Sequence, residues 1–366
     1  MTGLPPGDAD HDGPELLDDE ARRAALDSGD MAAAIAAMGD GLRAAAQRIG
    51  TITVPTTGRP WRSVAILGMG GSAIGADIVR SAFQGRVTLP IVVSREPELP
   101  AWVDASTLVI ASSHSGGTAE TLAAARAAVE RGAALVAVTS GGEMAELGEA
   151  SGVRVAVPAG GQPRAALGTS AGTLLAVLAA AELVDPGVAR DELLAAATAC
   201  DLGTEHNHPT VPFETNPAKQ LARALENRIA VVIAGGHLAP VARRWKTQLN
   251  ENAKTWAMWD ELPELAHNSI VGFDAPPVLR WAVRAIVLHG TESVEASARR
   301  RAVVDELAAS GTAHNEIGLP PDLLLGEAFA AIILGDWVSY HLATVLGVDS
   351  TPVEAINRYK ARLAGP

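Results

Sequence analysis

Two short segments of the 366-residue chain combine residue types suited to holding a small anion. One is Gly68-Met69-Gly70-Gly71-Ser72-Ala73-Ile74-Gly75, between the apolar run Ser63–Leu67 and a helical pattern. Glycines let backbone approach a ligand, and a helix start offers unpaired N–H groups at the positive end of its dipole. The other is Ser112-Ser113-His114-Ser115-Gly116-Gly117-Thr118, which places four hydroxyls within seven residues after the run Thr107–Ala111. Hydroxyl and backbone donors together can bind a phosphate dianion without a lysine. The plain alternatives are a tight strand–helix turn and a polar turn with an N-capping hydroxyl. Two such loops in neighbouring strand–helix units favour phosphate. The glycine loop also fits dinucleotide binding, but the ribose-holding acid expected about 20 residues on is not obvious where the next strand ends, Val93-Ser94-Arg95-Glu96. Glu205, His206 and His208 have the spacing of metal ligands, yet no further ligand is nearby, and we read them as a surface loop and assign no metal.

Loops of this kind need strands and helices to hold them. After a helical opening over 30–49, short β-branched runs recur at 63–67, 90–94, 107–111, 134–139 and 153–157, bounded by Gly, Pro or polar turns. Helical stretches such as 74–82 and 119–131 separate them. Buried strands alternating with helices predict a parallel sheet covered on both faces. Residues 186–228, with Pro186, Pro209, Pro212 and Pro217, read as a less regular join. The second half resumes with a strand at 229–234, a helix at 239–250, a strand at 283–289 and helices at 294–309, 327–346 and 352–363. The fold class is therefore α/β, with two doubly wound parallel-sheet domains, placed at 21–190 and 191–366. In such sheets ligands sit beyond the carboxyl ends of the strands, where both unusual loops lie.

Composition sets the outer bounds. Apolar residues make up 48% of the chain, enough for sizeable cores, so a wholly disordered chain is excluded. The formal net charge of −13 argues against a nucleic-acid partner. Seven of the acidic residues lie within the first twenty, with no Lys or Arg, and predict an acidic tail over 1–20 whose first dozen or so residues are disordered. That start has no basic segment followed by an apolar one, so no secretory signal is expected. The uncharged stretch Ala165–Ala181 is too short for the roughly 20 apolar residues of a membrane span, and we expect a buried helix and no membrane. A single cysteine, Cys200, excludes internal disulfides and suits a cytoplasmic location.

GMGGSAIG followed about 40 residues later by SSHSGGTAET resembles the sugar isomerase (SIS) domain, a phosphosugar-binding, flavodoxin-like αβα sandwich. Three further stretches narrow the resemblance: Gln162–Gly168 (QPRAALG); Asn250–Lys254 (NENAK) with Pro263–Asn268 (PELAHN); and Leu334–Tyr340 (LGDWVSY) with Thr351–Glu354 (TPVE). Together, from about residue 30 to the end, they resemble the bifunctional phosphoglucose/phosphomannose isomerases, which carry two SIS domains. The resemblance implies interconversion of glucose 6-phosphate or mannose 6-phosphate with fructose 6-phosphate, through an enediol and without a cofactor. It places Gly71, Ser72, Ser113, Ser115 and Thr118 at the phosphate. Arg164 would point at the sugar oxygens or stabilise the enediolate, and Glu251 would be the carbon base. His267 would open the sugar ring, supplied from the partner subunit where the family's dimers allow it, and Lys360 would be a second ring-opening group. A homodimer is expected on the same basis.

Each of these residues also has a plainer reading: Glu251 as a salt-bridging surface carboxylate beside Lys246 and Lys254, His267 as a turn residue, Lys360 as a solvated charge. Where the family usually shows SYSGNTEET, this chain has His114, Gly117 and Ala119, and Ala266 replaces an Asn in PELNHN. These departures bear on substrate preference and rate. They also keep open a catalytically silent phosphosugar-binding protein as the alternative function. Aminotransferring isomerases and dehydrogenases fit less well, for want of an N-terminal cysteine nucleophile and a ribose-binding acid.

Overall fold

The computed structural model describes residues 15–55 and 60–363. Four short helices open the described chain: α1 (Glu15–Asp18), α2 (Glu20–Ala25), α3 (Met31–Ala36) and α4 (Met38–Arg48). The first sheet follows as β1 (Ser63–Gly68), β2 (Ile91–Ser94), β3 (Thr107–Ser112), β4 (Ala134–Thr139) and β5 (Val153–Ala156), interleaved with α5 (Gly70–Phe83), α6 (Ala119–Glu130) and α7 (Gly142–Ser151). Its strands are parallel in the order β2-β1-β3-β4-β5, with Gly68 beside Ser112 at the carboxyl end of the central pair. Every residue of β3 and β4 is buried, which explains their unbroken apolar composition.

Helices α8 (Leu167–Ala180), α9 (Pro186–Asn207) and α10 (Pro217–Ala224) lead to the second sheet, β6 (Ile229–Gly235), β7 (Ala257–Leu262), β8 (Val283–His289) and β9 (Ala313–Gly318). These strands are also parallel, in the order β7-β6-β8-β9, so the second sheet repeats the first without a fifth strand. Helix α11 (Ala239–Glu251) follows β6, α12 (Leu279–Ala282) precedes β8, and α13 (Val294–Ser310) joins β8 to β9. Helices α14 (Leu324–Val345) and α15 (Glu354–Leu363) close the described chain.

The inner faces of the sheets share one apolar core. Ile66 and Ile110 of the first sheet, Val232 and Ile286 of the second, and residues of α4, α5, α8, α9, α11 and α14 belong to a single contiguous cluster. Two smaller clusters cover the outer faces. One joins Leu67 and Val109 to Leu122 and Met144, and the other joins Ile233 and Val287 to Val303 and Leu307. Helix α14 is long and apolar enough to cross a membrane, but 89% of its most apolar 18-residue window is buried inside this fold. Trp337 and Phe329 are fully buried there.

The structure corrects three expectations. The join expected to be irregular begins with the 22-residue helix α9, started by Asp185, whose side chain accepts from the Val188 N–H, and by Pro186 in the first turn. The boundary placed between residues 190 and 191 therefore falls inside a helix. Of the acidic tail placed at 1–20, residues 1–14 lie outside the described residues, but α1 is ordered. Leu17 is buried, and the Asp18 carboxylate accepts from the ammonium of buried Lys219 at 2.6 Å. The opening helix expected over 30–49 is two helices, interrupted at Ala37.

Candidate active site

Pairing of Gly68 with Ser112 brings the two unusual loops together. A Cβ on Gly68 would lie 3.0 Å from the Ser112 carbonyl oxygen and 3.3 Å from Ser72 Cβ, so glycine permits the close approach. The Ser113 and Thr118 hydroxyls stand 3.1 Å apart. Thr118 precedes α6 without capping it, and Met69 precedes α5 without a capping side chain, so the first-turn N–H groups of both helices have no side-chain partner. The serine loop is pinned from behind. The Ser113 N–H donates to Val138 O at 3.0 Å, Ser140 Oγ donates to His114 O at 2.7 Å, and the Met144 N–H donates to Gly116 O at 3.0 Å. Gly116, at φ +73°, makes the turn, and a side chain there would run into the Gly141 carbonyl. Ser115 is exposed and Ser72 half-buried, at the mouth of this arrangement. Of the atypical residues, His114 turns its Nε2 to Gly160 O at 3.1 Å, while Gly117 borders open space.

A cleft of 330 Å³ opens beside the start of α5. Gly70 and Gly71 form one wall; Arg164, Arg243, Lys246 and Glu251 form another. Gly71 packs against the segment before α8, where its added Cβ would meet Pro163 O at 2.9 Å. Arg164 is buried and nearly saturated. Its Nε donates to Asn252 Oδ1 at 2.7 Å, Nη1 to Gln162 Oε1 at 3.1 Å, and Nη2 to the Ser350 and Thr351 carbonyls at 2.9 and 2.7 Å. A guanidinium has five N–H groups, so one remains, on Nη1, which lies 3.9 Å from Glu251 Oε2. Burial lowers the Arg164 pKa from its ordinary value, and the Glu251 carboxylate opposes that shift. Glu251 ends α11 and is about one-third exposed, open to the cleft.

Behind Arg164 stands a buried ion pair. Arg244 Nη2 donates to Asp336 Oδ2 at 2.7 Å and to the Arg164 carbonyl at 2.6 Å. Burial raises the Asp336 pKa and Arg244 counters it. Asn252 Nδ2 donates to Ser339 Oγ at 3.0 Å, which ties the end of α11 to α14. Lys254, at φ +56°, donates from Nζ to Glu251 O at 2.6 Å and Ser350 O at 3.3 Å. Partial burial, with Arg164 nearby, pushes its pKa down to about 8. The rim is basic: Asp77 gathers Arg95 and Arg243, and Arg243 lies over the Trp259 ring, 5.1 Å from its centroid. An acidic chain thus presents a cationic mouth to an incoming anion.

Of the expected residues, Gly71, Arg164 and Glu251 line this cleft, and Ser72, Ser113, Ser115 and Thr118 are not among its lining residues. His267 ends an exposed turn after β7 and is not among the residues that line the cleft. Lys360 is exposed on α15 and lines neither the cleft nor the adjoining 530 Å³ cavity, which α15 borders through Glu354, Ile356 and Arg358. His206 and His208 make local contacts, with Leu202 O and Thr210 Oγ1, each at 2.8 Å. Asn252, Ser339, Asp336 and Arg244 are not among the predicted site residues, though the first three fall within the quoted stretches NENAK and LGDWVSY. Arg95, Arg243 and Asp77 carry no motif.

Two parallel sheets of flavodoxin-like strand order, with the glycine loop and the serine loop paired at the carboxyl end of the first, define a double SIS-domain fold. Residues 59–182 match the SIS domain, and residues 214–363 match the bacterial phospho-glucose isomerase C-terminal SIS domain. The bifunctional phosphoglucose/phosphomannose isomerase of Caldicellulosiruptor bescii is 38% identical over 82% of this chain and 89% of its own length. That of Thermoplasma acidophilum is 33% identical over 82% and 90%. A hypothetical protein of Thermus thermophilus shares the fold at 18% identity, with a TM-score of 0.72 over 97% of this chain and 95% of that one. The chain belongs to the bifunctional phosphoglucose/phosphomannose isomerase family.

Proposed function

We propose that this protein is an aldose–ketose isomerase that exchanges glucose 6-phosphate and mannose 6-phosphate with fructose 6-phosphate. One observation carries the reading: a single cleft is walled by the glycine-rich start of α5 on one side and by the Glu251 carboxylate on the other. The phosphate lies against the first-turn N–H groups of α5 and α6 with the hydroxyls of Ser72, Ser113, Ser115 and Thr118. Glu251 accepts the proton from C2 of the open-chain aldose, leaving an enediolate, and returns it to C1 while the O2 hydroxyl proton passes to O1; in the reverse direction it takes the C1 proton. No electrons leave the sugar. The remaining N–H of Arg164 stabilises negative charge on the enediolate oxygen or holds the carboxylate in line.

His267 reaches the ring oxygen from a second copy of the chain. Trp256 just before the edge strand β7, and Val271 and Trp281 in the stretch between β7 and β8 that carries His267, are 72%, 84% and 78% exposed, apolar groups that a homodimer would cover. Lys360 is assigned as a second ring-opening group, delivered by movement of α15 toward the adjoining cavity. We place the enzyme in the cytoplasm. Incubation with fructose 6-phosphate tests the proposal: both glucose 6-phosphate and mannose 6-phosphate should accumulate, and no turnover of any hexose 6-phosphate would refute it.

A further inference from the structure

The second sheet repeats the architecture of the phosphate site but not its chemistry. Strands β6 and β8 occupy the central positions held by β1 and β3, and a 290 Å³ cavity lies at their carboxyl ends between the two following loops. Gly236, at φ +58°, follows β6 much as Gly70, at φ +51°, follows β1. The loop after β8, His289-Gly290-Thr291-Glu292-Ser293, leads into α13 as the serine loop leads into α6. A second phosphosugar site would be expected here. Instead a buried carboxylate already holds donors of the loop after β8.

Glu327, from the first turn of α14, is fully buried beneath these loops. Its Oε2 accepts the Thr291 N–H at 2.8 Å and lies 2.9 Å from His237 Nε2. Its Oε1 accepts the Thr291 hydroxyl at 2.5 Å and the Asp322 N–H at 3.3 Å. Gly290 is glycine because the carboxylate fills the space a Cβ would need. One internal anion thus contacts both loops, as a ligand phosphate would across the first pair. A dianion brought to the same donors would meet a fixed negative charge at contact distance, in surroundings where that repulsion is poorly screened.

We propose that Glu327 is a built-in substitute for phosphate, so that the loop donors of the second SIS unit are already taken and each chain binds one phosphosugar, not two. The proposal rests on reading the first loop pair as the phosphate holder, and its test separates the two. Equilibrium dialysis of the unchanged full-length protein with sorbitol 6-phosphate, an unreactive open-chain analogue, should give one equivalent per chain. Two equivalents would overturn the proposal, and no binding would overturn the reading of the first site instead. E327A removes the carboxylate and should lower the melting temperature. Added formate or inorganic phosphate should restore at least half of that loss, and should raise the melting temperature of the unchanged protein by less. E327Q, which keeps an acceptor in place, should lose less and gain nothing from added anions. Equal anion effects on E327A and the unchanged protein would overturn the proposal. Should E327A not fold, the stoichiometry decides alone.

Discussion

Arg164→Lys is the sharpest probe of how the cleft is held together. Arg164 carries four hydrogen bonds to three separate segments from a position only 5% exposed. Lysine keeps the charge but offers three donors from one point, without the planar fork. At least one buried acceptor must lose its partner. Leaving one such group unpaired costs about 1–3 kcal/mol. At about 2 °C per kcal/mol for a chain of this size, the melting point should fall by about 2–6 °C. The kinetic effect should be larger than stability suggests, because the N–H nearest Glu251 also disappears. Misplacing a reacting group by about 1 Å costs on the order of 10²-fold in rate, so kcat should fall by about that factor, with KM changed far less. Coupled assays of glucose 6-phosphate formation and a thermal melt on the same preparation measure both. Unchanged stability together with unchanged kcat would show that the guanidinium network does not set the catalytic geometry.

Other perturbations probe the remaining parts of the site and the fold. Glu251→Gln should lower kcat by about 10²–10⁴-fold while stability moves by less than about 1 kcal/mol, since its contact with Arg164 is long and partly solvated; a melt and a turnover assay separate the two. Ser113→Ala and Thr118→Ala each remove one phosphate donor and should raise KM by about 10–100-fold, with kcat less affected, in steady-state assays with fructose 6-phosphate. His341 is fully buried, and that burial lowers its pKa to about 3 against partial opposition from the Asn207 carbonyl. Below about pH 6.5 the unfolded chain takes up a proton that the folded chain refuses, so stability should fall toward acid by up to about 1.4 kcal/mol per pH unit; denaturation curves between pH 7 and 4.5 should show a shallower fall in His341→Gln. Trp281→Arg should weaken the proposed homodimer and lower activity in parallel, read by sedimentation and turnover at matched concentrations.

Strands β1, β3 and β4 are legible in the sequence because they are buried on both faces and read as unbroken apolar runs, and the more exposed edges β2 and β5 still carry β-branched residues. Strands β7 and β9, AMWDEL and AHNEIG, lack that signal: they are half-exposed edges of the second sheet, poor in β-branched residues and interrupted by Asp260-Glu261 and His314-Asn315-Glu316. Helix α9 was hidden by prolines that lie after its end and by one that starts it. The two loops proposed to hold phosphate stand out in the sequence through glycines and hydroxyls at strand ends. The cleft's basic rim did not, since Arg95 and Arg243 meet Asp77 from 18 and 166 positions away, and a lone arginine carries no signature. The grip on Arg164 was equally invisible: two of its acceptors are backbone carbonyls, at Ser350 and Thr351, which any residue type could supply.

The apolar cluster shared by the inner faces of both sheets has a mechanical consequence. Helix α9 lies largely between the stretches 59–182 and 214–363 that match the two domain families, yet it packs into that common interior. Neither half owns a complete core, so cutting the chain near residue 190 should leave two fragments that cannot fold alone. For the same reason the halves cannot swing apart like jaws. A sugar phosphate must enter a mouth already at its working width, and any closing over it falls to surface pieces such as α15.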